Sequence, residues 1–151
     1  MTRLEHAIRI DRPLGVVYAL AAEVERYPEF LPGYLESRII ERRNGDVLLE
    51  RRAYVQGKLT QWKSWAHFTP DRAIEFEHAA GPLAGMKVRW LFTALSPYET
   101  YLQIIHQFPP FRRLTLPWFR EKLVYKPGIN QMAHRVVQSF KKACEGNNGH
   151  G

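Results

Sequence analysis

Five residues at alternating, inward-reading positions of strand-like segments carry groups that can do chemistry: Arg51, Thr60, Ser64, His78 and His106. Arg51 shares parity with Leu49, Ala53 and Val55, so it points inward unless the register slips by one residue and turns it to solvent. An inward guanidinium needs a carboxylate, a carbonyl or a ligand oxygen, because an unpaired buried charge is costly. His78 and His106 are either satisfied core histidines or donors to a quinone or ketone oxygen. In the second case they could also shuttle protons in an aldol-type ring closure. Arg51, His78 and His106 are therefore the catalytic candidates, with Ser64 and Thr60 as further polar groups set singly among apolar neighbours.

Other chemistries find little support. The six histidines show no helical His-x-x-x-His spacing, and the acidic residues fall almost entirely at expected surface positions, so no metal is expected. No G-x-G-x-x-G or G-x-x-x-x-G-K-[ST] loop is present for a nucleotide, no cofactor is implied, and no G-x-S-x-G elbow marks a hydrolase. The single Cys144 has no disulfide partner and reads as a small core or boundary residue on a helix. A net charge of +7 is compatible with nucleic acid, a ribosome or an anionic membrane surface. The cations are scattered as Arg42-Arg43, Arg51-Arg52, Arg112-Arg113 and Lys141-Lys142 instead of forming one stripe, which fits solvated faces better.

The elements that must position these groups follow from periodicity. Leu4 to Ile10 alternates as a half-buried strand, and Asp11-Arg12-Pro13 stops it and starts a helix, with Asp11 or Arg12 near the cap and Pro13 in the first turn. Leu14, Val17, Tyr18, Ala21 and Val24 form one helical face, a short second turn covers Glu25 to Phe30, and Pro32-Gly33 closes it. Turn signals then divide a six-strand meander: Tyr34–Arg43, Val47–Gln56, Lys58–Phe68, Ala73–Ala80, Gly85–Leu95 and Thr100–Phe108. Pro109-Pro110 ends it. Ile129, Met132, Ala133, Val136, Val137, Phe140 and Ala143 recur at helical spacing, and Lys126-Pro127-Gly128 must kink or split any extension back to Trp118. With 151 residues, one domain over 1–145 is expected, followed by a frayed 146–151 tail.

The same parity names a wall. Trp62, Ser64 and Phe68, then Phe76 and His78, then Trp90 and Phe92, then His106 and Phe108 all read inward, facing Val136 and Phe140 of the last helix. A sheet covered by a helix needs such a face for its core in any case. The 13% share of aromatic residues, with polar groups placed singly among the rings, is what a ligand pocket would show.

The segment Val24-Glu25-Arg26-Tyr27-Pro28-Glu29-Phe30-Leu31-Pro32 resembles the "verYPeFLP" stretch of the polyketide cyclase/dehydrase and coenzyme-Q-binding START families of the START-like (SRPBCC) superfamily. Gly81-Pro82-Leu83 with Trp90-Leu91-Phe92 and Thr100, and Ser139-Phe140-Lys141, resemble further parts of their pattern. The chain departs from it in a longer stretch from Phe108 to Lys126, rich in proline and arginine, and in the Pro127-Gly128 interruption. The resemblance implies an α+β helix-grip fold of about seven antiparallel strands around a long C-terminal helix, with a cavity for a lipid, quinone or polyketide between them. It leaves three functions open: a hydrophobic-ligand binder, an aromatase or cyclase acting without metal or nucleotide, and a ribosome-associated regulator. With no apolar run near 18 residues and a charged N-terminus, a cytoplasmic protein is expected, in one variant peripheral to a membrane surface. Oligomeric state is not legible.

Overall fold

A computed structural model of the chain describes residues 3–109 and 116–146, with side chains described outside 116–126. The stretch 110–115 and the expected frayed tail beyond Gly146 lie outside the described residues. Seven strands follow the alternation read from the sequence: β1 (Arg3–Ile10), β2 (Tyr34–Arg43), β3 (Asp46–Val55), β4 (Lys58–Thr69), β5 (Ala73–Ala80), β6 (Lys87–Ser96) and β7 (Glu99–Gln107). They form one antiparallel sheet in the order β1-β7-β6-β5-β4-β3-β2, so the meander pairs sequentially and β1 closes on β7.

Between β1 and β2 run α1 (Leu14–Ala21), a single 3-10 turn (Val24–Arg26) and α2 (Tyr27–Phe30). Pro13 sits at the N-cap of α1 and not in its first turn. Its carbonyl accepts the amides of Val16 and Val17, so the residue without a donor lies just outside the helix. Val17, Tyr18 and Ala21 are buried as their spacing required, while Val24 belongs to the 3-10 turn.

The last helix, α3 (Leu116–Glu145), is one element across Pro127, which settles the kink-or-split question against a split. Gly146, at φ 67°, closes it in the left-handed conformation. Gly128 marks where α3 meets the β3–β4 hairpin: a Cβ there would stand 2.9 Å from Val55 Cγ1 and 3.0 Å from Gln56 Cβ. Among the described strands α3 comes closest to β1, β7 and β3, near the two margins of the sheet. The middle strands β4 to β6 lie farther from it, and the helix buries Ile129, Ala133, Val136, Val137 and Phe140 against the sheet side. Among the described residues, no helix is long and apolar enough to cross a membrane.

Candidate functional site

Arg51 points inward. It is 3% exposed, directly opposite Ser37 on β2 and Trp62 on β4, so the strand register holds without the slip that would have put it in solvent. Its Nε donates to Ser37 Oγ at 3.0 Å, and Ser37 Oγ donates to the Val24 carbonyl at 2.7 Å. The guanidinium carbon lies 4.7 Å from the Tyr27 ring centre, 4.8 Å from Phe76 and 5.7 Å from Tyr34. Cation–π contacts of this kind contribute about 1–2 kcal/mol each when desolvated. They do not satisfy N–H groups in the guanidinium plane, and Arg51 Nη2 is buried without a hydrogen-bond partner among the described residues.

The Val24–Pro32 segment is therefore what positions Arg51. Tyr27 donates its hydroxyl to the Ala21 carbonyl at 2.7 Å, stacks on Trp90 at 5.6 Å and offers its other face to Arg51. Burial pushes the Tyr27 phenol up, with the Arg51 charge pulling against it, so the group stays a neutral donor.

A second cluster lies across the same cavity. Ser64 on β4 is opposite His78 on β5, and the His78 ring stacks on Trp62 at 5.6 Å and 8° between planes. Ser64 Oγ, His78 Nδ1 and His106 Nδ1 are all buried and, among the described residues, unpartnered. Burial is the main cause that lowers the His78 pKa to about 3, with the nearby His106 and Arg51 adding to it. Burial likewise lowers His106 to about 4, with His6 behind it. Both rings are neutral near pH 7, each presenting one donor and one acceptor nitrogen.

Gly81 brings the β5–β6 loop over this wall. At φ 113° its absent Cβ would stand 2.7 Å from Trp62 Cβ and 3.0 Å from the Gln61 carbonyl, so only glycine fits. The loop is held by the His78 amide on the Met86 carbonyl and the Gly85 amide on the His78 carbonyl. Pro82, Leu83 and Met86 thereby become part of the cavity lining.

The cavity, partly open to solvent, amounts to about 70 Å³ accessible to the centre of a water-sized sphere. At roughly 10–15 Å³ per water on this measure, it holds about five waters, or a compact organic group of that size. Of the sequence candidates, Arg51, Thr60, Trp62 and Ser64 line it from β3 and β4, Phe76, His78, Trp90 and His106 from β5 to β7, and Val136 from α3.

Phe68, Phe92, Phe108 and Phe140 are not among the lining residues. Phe92 packs edge-on to Tyr18 under α1, and Phe140 packs against Phe30 and Trp90. Phe108 is buried and Phe68 half-buried at the end of β4. Tyr27, Tyr34 and Met132 line the cavity without having been marked. The signal for the tyrosines was Arg51 itself, whose inward charge called for neighbours that parity alone does not supply. Cys144 is buried, with its thiol pushed up to about 12 chiefly by burial and next by Glu145. Among the described residues, no three His, Cys, Asp or Glu side chains gather closely enough to hold a metal ion.

A seven-stranded antiparallel sheet curved over a long C-terminal helix, with an aromatic cavity between them, defines a helix-grip domain of the START-like class. Residues 10–141 match the family model described as polyketide cyclase/dehydrase and lipid transport, and the chain belongs to that family. It is similar to the granaticin polyketide synthase bifunctional cyclase/dehydratase of Streptomyces violaceoruber, at 29% identity over 70% of this chain and 34% of that protein. The chain thus spans about a third of the length of that relative. It is also similar to the ribosome association toxin RatA of Pseudomonas aeruginosa, at 24% identity over 92% of each chain. Among solved structures, the Zhui aromatase/cyclase of a Streptomyces species shares the fold with a TM-score of 0.85 at 18% identity, covering 99% of this chain and 96% of that one.

Proposed function

We propose that this protein binds a compact hydrophobic small molecule in the cavity between β3–β7 and α3, with an oxygen of the ligand seated against Arg51. The observation that carries this reading is the set of four buried polar atoms (Arg51 Nη2, Ser64 Oγ, His78 Nδ1, His106 Nδ1) that have no partner among the described residues and belong to residues lining one apolar space. Such atoms are rare in native interiors, where nearly every buried polar group has a partner, and a ligand or water must complete them. Apolar burial supplies affinity at about 25 cal/mol per Å², and the polar atoms set orientation.

Native mass spectrometry of the protein purified from its own host tests this: a bound apolar molecule is expected, released by denaturation. No bound molecule, together with no uptake of aromatic compounds by the purified protein, would count decisively against it.

A second reading, an aromatase or cyclase, has one specific observation in its favour. Neutral His78 and His106, each with an unpartnered ring nitrogen, share the cavity with Arg51, which could polarise a ketone oxygen while a histidine moves a proton. In this reading His78→Ala and His106→Ala abolish cyclised product from a poly-β-ketone while leaving the fold intact. Unchanged product and regiochemistry in both variants would remove it. The surface offers less to the ribosome-associated reading. Arg38 pairs with Glu36 and Glu50, Arg43 with Glu41 and Arg52 with Glu36, and the Arg51-Arg52 pair is split between the two faces of the sheet.

A further inference from the structure

The charge balance of the cavity limits what its ligand can be. Among the described residues its one permanent cation is Arg51, and no aspartate or glutamate among them lines the same space. Guanidinium cannot shed its proton on burial as lysine or histidine can, so the charge remains in the folded protein. Ser37 and three aromatic faces stabilise it, but they are neutral, and Nη2 stays without an acceptor. His78 and His106, driven neutral by burial, add no second positive charge. A neutral carbonyl would fill the hydrogen bond and leave the charge uncompensated, whereas an anionic oxygen answers both requirements.

The walls limit the rest of the molecule. Trp62, Phe76 and Trp90 line it with aromatic rings, and a space of about five waters suits about one aromatic ring. Resting on the reading of this cavity as a ligand site, we infer that its ligand is a compact aromatic acid, with the carboxylate on Arg51 and the ring system between Trp62, Trp90 and α3.

Titration of the whole protein with benzoate and with its uncharged isostere benzamide, followed by tryptophan fluorescence, tests this. Wild-type protein is expected to bind the acid about 10- to 100-fold more tightly than the amide, the usual value of a hydrogen bond to a charged group. Arg51→Met should bring the two affinities within about 3-fold by weakening only the acid, since apolar replacement of a buried charge usually preserves folding. Arg51→Lys should retain part of the preference. If wild-type protein binds the amide as tightly as the acid, or the preference survives Arg51→Met, the acid inference falls while the hydrophobic cavity stands. If neither compound binds, both readings fall together.

Discussion

Burial acts differently on the three basic groups that, among the described residues, face the cavity. Arg51 keeps its charge, whereas His78 and His106 lose theirs, with pKa values near 3 and 4. Well above pH ~6.5 neither the folded nor the unfolded chain protonates these rings, and stability carries no penalty from them. Between about 6.5 and 4 the unfolded chain takes up protons that the folded chain refuses, so stability falls as pH falls, by up to about 1.4 kcal/mol per pH unit for each ring. Urea midpoints at pH 7.5, 6 and 5 are expected to decline for wild-type protein and to flatten in a His78→Gln/His106→Gln variant. Equal slopes for the two would show that these histidines do not stay neutral. Parity placed all three groups inward from sequence alone. It could not show what surrounds Arg51, because Ser37 and Tyr27 come from the neighbouring strand and from the short helix that precedes it.

At the level of elements, the strands were legible because alternation and turn residues mark them independently, and the observed ends differ from the expected ones by at most two residues. The family-like motifs gain physical content here. Val24–Pro32 carries Tyr27 and the carbonyl that anchors Ser37, so it builds the cradle of Arg51. Gly81 starts the loop that closes the cavity over Trp62, and its φ of 113° combines with a blocked Cβ direction. Gly81→Ala should therefore destabilise by about 2–4 kcal/mol, since both the backbone and a rigid strand would have to move. For a chain of this size that lowers Tm by roughly 5–15 °C in calorimetry. A loss below 0.5 kcal/mol would mean that the loop shifts freely and does not fix the cavity wall. Pro127-Gly128 read as an interruption because local rules see only the missing donor. What those rules miss is the close approach to Val55 and Gln56, which a larger residue would obstruct.

For the whole molecule, the cavity was the least legible feature, because the same apolar alternation serves a filled core and a hollow one. Which occurs depends on how far β4 to β6 stand from α3, and therefore on what holds the helix over the sheet. Two kinds of contact compete for that role. Phe140, fully buried, wedges between Phe30 and Trp90. At the helix end Glu145 accepts the Asp11 amide at 2.9 Å and pairs with Lys141, which also donates to the Arg9 carbonyl at 2.8 Å. Removing the ring in Phe140→Ala should cost about 3–5 kcal/mol through lost burial and the void left behind. Glu145→Gln keeps an acceptor for the Asp11 amide and gives up a partly solvated pair, so it should cost under about 1 kcal/mol, and less at high salt. Denaturant unfolding of the two variants at low and high salt decides between them. A larger loss from Glu145→Gln, shrinking with salt, would show that an electrostatic clasp and not aromatic packing seats the helix. The expected order instead makes Phe140 the fixed end of α3, with the cavity opening along the Ile129–Val136 stretch beside it.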